Sequence, residues 1–256
     1  MPDIELPAAY SRCAALQRRH DPTFHLATRA LGRDVRPAVH ALYGFLRGAD
    51  ELVDGPDRPP TPEARRAALK DWHRALTDGM ACGTSEHPVI AAVVDAGRRH
   101  DLPLEELDAY MRSMGIDCSG HVRLRSTEEL DAYMNGSAAA VGRVMAPLIG
   151  VPRARREDVA RLGVAFQLTN FLRDVREDFA MDRVYLPGLD EEALAAGRPT
   201  RLPVAEVRRA GELFRGSVHA VLRSCEPRAR PGIALATAFY RRVHLGRLER
   251  RGALVS

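Results

Sequence analysis

The sequence predicts one all-α domain, and three observations carry that expectation. Apolar residues recur every three or four positions along most of the chain, and no stretch alternates apolar and polar residues with a period of two. Ala, Leu and Arg are abundant while aromatics make up only 5%, a mix that favours helix over strand. Glycines and prolines fall between the periodic stretches as breaks, with no linker and no internal repeat. With 256 residues, 45% of them apolar, the chain is long enough to bury one substantial core, and a single domain over 1–256 is expected.

The elements follow in order. Residues 5–20 and 23–31 read as helices. Asp34 is placed to cap a helix that runs to about Asp54 and ends at Gly55-Pro56. The stretch from Gly55 to Pro62 holds four prolines and reads as a loop. Helices are expected over 62–79, 87–100 and 103–114, the last with Pro103 at its first position. Residues 115–125 read as irregular. Ser126 and Glu129 form a capping-box pattern ahead of a helix to about Ile149, broken by Gly150 and Pro152. One helix is expected from about Arg155 to Phe179, then an extended or turning segment over 183–187 and a short helix over 190–196. Helices over 203–224 and 231–250 complete a helical bundle.

Composition narrows the function. The net charge is +4, and Lys70 is the only lysine, so nearly all the positive charge is arginine. There is no nucleic-acid-binding motif and no basic tail, so nucleic acid is not an expected partner. Cys13, Cys82, Cys118 and Cys225 form no CxxC pair, which points away from zinc and disulfides and towards a reducing cytoplasm. Residues 1–10 lack the apolar segment of a secretory signal, and no run is long enough to span a membrane.

Two helices carry carboxylates where apolar residues would continue. On the first, Val35, Val39, Leu42 and Leu46 form a core stripe, and Tyr43, Arg47, Asp50 and Asp54 follow along its edge at offsets of four, three and four. On the second, Val159, Leu162 and Phe166 form the stripe, and steps of four from Phe166 reach Asn170, Asp174 and Asp178, with Gln167 and Arg173 alongside. A solvated helix face explains one such pair. Two pairs that each extend a core stripe are better explained by a divalent cation, because unpaired carboxylates facing a core cost several kcal/mol. Mg²⁺ (or Mn²⁺) fits, since it takes one or two carboxylates together with waters and phosphate oxygens. Zinc is disfavoured, as no His or Cys sits beside either pair in the sequence.

These residues resemble the phytoene and squalene synthases. One aspartate-rich motif of that family is similar to Tyr43-Gly-Phe-Leu-Arg-Gly-Ala-Asp50-Glu-Leu-Val-Asp54. The family's other aspartate-rich motif is similar to Gln167-Leu-Thr-Asn170-Phe-Leu-Arg173-Asp174-Val-Arg-Glu-Asp178, followed by Arg183-Val-Tyr-Leu-Pro187. The run from Tyr133 to Gly142 is similar to a further helix of the family, and Tyr240 lies in a stretch like its last helix. The resemblance implies a single-domain isoprenoid synthase helical bundle with a central cavity. It also implies head-to-head coupling of two prenyl diphosphates through a cyclopropyl intermediate.

The resemblance further implies roles. Asp50, Asp54, Asp174 and Asp178 would hold the metal ions, and Arg47 and Arg173 would bind phosphate oxygens. Tyr43, Gln167, Asn170 and Tyr240 would contact substrate. For Tyr133 two readings stay open: steering a cation or moving a proton, and plain core packing with a satisfied hydroxyl. Members of the family continue past the last helix into an arginine-bearing segment, whereas this sequence stops at Ser256 with Arg247, Arg250 and Arg251 nearby. Thr23-Phe-His-Leu-Ala27 and Phe214 also depart from the family pattern. These departures keep another expectation in view, transfer of one prenyl group to a small indole- or carbazole-like aromatic acceptor in secondary metabolism. The arginines at 241, 242, 247, 250 and 251 read first as a solvated face and then as a peripheral membrane contact or a help in diphosphate binding.

Overall fold

The computed structural model describes residues 5–250 and 254–255. Fourteen helices among them build the molecule: α1 (Leu6–His20), α2 (Pro22–Arg29), α3 (Arg36–Asp54), α4 (Pro62–Cys82), α5 (Pro88–His100), α6 (Leu107–Asp117), α7 (Thr127–Met134), α8 (Val141–Leu148), α9 (Arg156–Arg173), α10 (Val175–Ala180), α11 (Glu191–Ala195), α12 (Val204–Ser224), α13 (Arg230–Ala238) and α14 (Gly246–Arg250). Wide π-helical segments, Asn135–Ala140 and Phe239–Leu245, join α7 to α8 and α13 to α14. Helices α1, α3 and α5 pack on one another, and α9 packs against α12, α8 and the first π segment. The core between them includes Phe45, Leu42, Leu130, Leu168, Leu172 and Phe214, each essentially inaccessible.

The sequence-level boundaries need several corrections. Asp34 is not the cap of α3: Val35 takes that position, with no side-chain cap, and a proline opens the helix. Pro103 precedes a 3₁₀ turn, Leu104–Glu106, rather than the first turn of an α-helix. The α6 helix continues through Gly115 to Asp117, because helical contacts outweigh the propensity of one glycine. Ser126 does cap α7, accepting the Glu129 N–H at 3.2 Å. The Glu129 carboxylate, however, reaches the N–H of Arg125 instead of closing a full capping box. Two-residue strands also exist: β1 (Val122–Arg123) pairs in parallel with β2 (Arg183–Val184), and β3 (Thr200–Arg201) pairs antiparallel with β4 (Leu254–Val255). Two residues are too short to leave a periodic signal.

The largest correction falls on the expected helix over 155–179. It breaks at Asp174, whose φ of −99° and ψ of 14° separate α9 from α10. The Asp174 N–H still closes α9 onto the Asn170 carbonyl at 2.8 Å, and the Asp178 N–H bonds the Asp174 carbonyl at 2.8 Å. The helical spacing of the acidic residues therefore survives across the break. No helix among the described residues is long and apolar enough to cross a membrane.

Candidate active site

Helix α3 delivers Arg47, Asp50 and Asp54, spaced to share one edge. Helices α9 and α10 deliver Gln167, Asn170, Arg173, Asp174 and Asp178. All four aspartates line one polar cavity of about 320 Å³, together with Asn170 and Arg173. The β1–β2 pairing brings in a third set of groups. It lays residues 183–185 along the segment after α6, with the Leu124 N–H bonded to the Val184 carbonyl at 3.0 Å. Alternate strand residues share a face, so Arg183 and Tyr185 both reach the cavity wall while Val184 does not.

Three of the four acids have arginine partners. Arg47 bonds Asp50 at 2.7 Å and also bonds Glu51. Arg173 grips Asp174 through two bonds of 2.5 Å. Arg183, only 5% exposed, grips Asp54 in the same forked manner. Asp178 has no ion pair among the described residues. Burial first, and Asp174 second, push its carboxyl up to about 7. Burial also raises Asp50, with Arg47 working against the shift and Asp54 reinforcing it.

The same cavity is lined by a buried network of which the sequence pointed only to Tyr133. Asp117, at the end of α6 and 2% exposed, accepts the Tyr133 hydroxyl at 2.5 Å and the Tyr185 hydroxyl at 2.8 Å. Burial pushes its carboxyl up to about 6, against the opposing pull of those hydroxyls and of Arg183. Both tyrosines are held well above their ordinary range, first by burial and then by the nearby Asp117. A signal existed: Tyr110, Met114 and Asp117 are spaced by four and three, an apolar face running into an acid as on the other two helices. Reading a helix end before Gly115 hid it.

A separate, apolar cavity of about 250 Å³ adjoins the first, and Ser137 and Gln167 line both. Its walls include Phe24, Leu31, Val141, Met145, Leu162 and Phe166. Helices α8 and α9 approach very closely beside it. A Cβ on Gly142 would stand 2.7 Å from the Val159 carbonyl oxygen, so only glycine fits there. The arrangement is a polar chamber rich in oxygen ligands and arginines, with an apolar cavity beside it.

Of the expected residues, the structure brings together Asp50, Asp54, Asp174 and Asp178 with Tyr133, Gln167, Asn170 and Arg173 around the polar cavity. Arg47 stands beside them through its bond to Asp50. Tyr43 lies one turn away near Phe24, with ring centroids 6.4 Å apart, and Tyr240 packs edge-on to Phe166 at 4.7 Å. Neither is among the residues found lining the two cavities. Arg241, Arg242, Arg247 and Arg250 are exposed, and Arg251 lies outside the described residues.

The donor set fits a hard divalent cation. Among the described residues no three His, Cys, Asp or Glu side chains are gathered into a preformed cluster. The acids instead stand as two pairs around a chamber with room for phosphate oxygens, the ligands Mg²⁺ prefers to share. The buried Asn170 Oδ1 and Ser137 Oγ have no hydrogen-bond partner, a desolvation cost that a ligand in the chamber would relieve.

Comparisons with known proteins agree with this architecture. The family model for squalene/phytoene synthase matches residues 17–256. Phytoene synthase 3, chloroplastic, of Zea mays is 35% identical over 212 residues, which cover 77% of this chain and 49% of that protein. The phytoene synthase of Thermus thermophilus is 37% identical over 190 residues, covering 72% and 63% respectively. The chain thus spans about half the length of the maize relative. Among solved structures, a dehydrosqualene synthase bound to a ligand superimposes with a TM-score of 0.83 at 22% identity, covering 98% of this chain and 90% of that one. Squalene synthase HpnC from Alicyclobacillus acidocaldarius does so with a TM-score of 0.84 at 24% identity, covering 97% and 96%. At these identities the two structures establish the fold.

Proposed function

The chain belongs to the squalene/phytoene synthase family, and on that premise we propose that it ionises an allylic prenyl diphosphate and couples two such molecules head to head. The observation that carries the reading is the junction of the two cavities. A chamber of carboxylates and arginines adjoins an apolar cavity, and Ser137 and Gln167 line both. That is the shape of a ligand with a diphosphate at one end and a hydrocarbon chain at the other.

Asp50, Asp54, Asp174 and Asp178 are the residues that would hold Mg²⁺ or Mn²⁺, which when bound offsets the negative charge building on the departing diphosphate. The guanidinium forks of Arg47 and Arg173 are engaged by neighbouring acids. Released from those acids, they donate to phosphate oxygens in the same geometry. Asn170 and Gln167 fix the diphosphate end at the cavity junction. The apolar walls around Phe166 and Leu162 keep water from the carbocation. Tyr43 acts one layer out, beside Phe24, and Tyr240, packed on Phe166, sets its hydroxyl beside Asn170 and Arg173 of the polar chamber.

The relatives favour coupling of two diphosphates over transfer to an aromatic acceptor. Incubation with labelled dimethylallyl, farnesyl and geranylgeranyl diphosphates, with products analysed by mass, separates the two. A hydrocarbon of doubled chain length supports coupling. A product formed only when an indole or carbazole is added overturns it.

We place the protein in the cytoplasm, in line with its free cysteines, and against an anionic lipid surface. Helices α2 and α13 pack together and wall the apolar cavity. Their outer sides expose Leu26 at 59% and Leu235 at 50%, with Phe24 and Val243 nearby in sequence. Residues 21–34 and 226–249 carry seven arginines against four carboxylates, Asp21, Asp34, Glu226 and Glu249. Exposed apolar side chains on segments with an excess of arginine suit a bilayer with negative headgroups.

A further inference from the structure

We propose that Asp117 is a positioning residue that holds the hydroxyl protons of Tyr133 and Tyr185, leaving phenolic lone pairs and ring faces free towards the space where the allylic cation forms. The inference rests on the functional reading above and assigns work to a residue outside both aspartate-rich motifs. Each tyrosine has one hydroxyl proton, and both protons are committed to the same buried carboxylate. Tyr133 and Tyr185 are then acceptors towards the cavity and donate nothing to a diphosphate. Phe171 completes the wall, stacked on Tyr185 at 4.3 Å and tilted to Tyr133 at 5.8 Å, and all three rings line the polar cavity. Aromatic faces and oxygen lone pairs stabilise a cation and repel an anion. The one lining therefore combines arginines and metal-binding acids, which suit a diphosphate, with an aromatic wall and a buried carboxylate, which suit a cation.

Arg183, which holds Asp54, hydrogen-bonds Asp117 through the main-chain carbonyl alone, at 3.3 Å, while its charge acts on the Asp117 carboxyl through space. Replacing the Asp117 side chain leaves that carbonyl in place. Asp117→Asn keeps the shape and removes the charge; its one carbonyl oxygen still accepts from one tyrosine, while its amide NH2 can only donate, so the other tyrosine's proton is freed.

The test is steady-state kinetics of Asp117→Asn, Tyr133→Phe and the double variant on a prenyl diphosphate, with coupled product and water-quenched allylic alcohol measured separately. Asp117→Asn should lower kcat by on the order of tenfold or more while KM and the Mg²⁺ requirement stay near wild type, the pattern of a group that acts on the transition state. The share of alcohol should rise. The double variant should be no worse than the poorer single one, because both changes break the same link. If Asp117→Asn does not fold, as judged by circular dichroism, Tyr133→Phe and Tyr185→Phe keep the ring packing and should each show the same kcat loss at unchanged KM. Normal kcat in these variants, additive losses in the double variant, or a KM that rises in step with the loss of kcat would each overturn the proposal. A wild-type protein inactive on prenyl diphosphates would overturn the functional reading and this inference with it.

Discussion

Asp178 differs from the other three acids in lacking an arginine, and the difference has measurable consequences. Its carboxyl is raised from 3.8 to about 7 by burial and by Asp174. The folded chain therefore binds that proton more tightly than the unfolded chain does. The stabilisation is fully present below pH 4 and is lost as pH rises through about 7. In EDTA, Asp178→Asn should melt higher than wild type at pH 8, by about 2–4 °C for each kcal/mol recovered, with the gain vanishing near pH 4. A melting curve at pH 8 with no gain would contradict the assignment. Asp174 is different because Arg173 already balances it. Asp174→Asn should cut diphosphate release by at least about 100-fold while helical circular dichroism persists. Near-normal release by that variant would remove Asp174 from the site. The four acids were legible in sequence because each continues an apolar stripe. Arg183 and Tyr185 were seen as part of a motif but given no task, because only the β1–β2 pairing carries them to the cavity.

Most helices were visible in the sequence as apolar periodicity between breakers. Their interruptions were not. The break at Asp174 and the π segments at Asn135–Ala140 and Phe239–Leu245 contain no proline, and one glycine, Gly136, is the only breaker among them. They arise from packing and from cavity lining, which periodicity does not encode. The α8–α9 crossing is the clearest case. Gly142 abuts the α9 backbone, and a Cβ on Gly163 would stand 2.8 Å from the Ala138 carbonyl oxygen. Backbone atoms cannot step aside as a side chain can. Gly142→Ala should therefore destabilise the fold, at the upper end of about 1–3 kcal/mol for overpacking. The roughly 1 kcal/mol by which alanine exceeds glycine in a helix interior does not offset that. Thermal melting checks this, and a variant as stable as wild type would mean the two helices separate easily.

Across the whole molecule, the all-α class and the two acidic motifs were legible, whereas the relation between the two cavities required the tertiary fold. The exposed apolar face on α2 and α13 likewise emerges only when the two helices meet, since they lie some 200 residues apart in sequence. Vesicle co-sedimentation checks that face. Binding should require phosphatidylglycerol, weaken with salt, and fall in Leu26→Ser/Leu235→Ser and in Arg241→Gln/Arg242→Gln variants. Equal binding to neutral phosphatidylcholine, or none to either, would count against a lipid partner.

The most direct test of the central reading is diphosphate release from farnesyl or geranylgeranyl diphosphate, followed in Mg²⁺, in EDTA and after Mg²⁺ is restored. The four aspartates and two arginines around one chamber lead to the expectation of release with Mg²⁺, none in chelator and recovery on addition of the metal. Full turnover in EDTA, or no release under any of the three conditions, would contradict it.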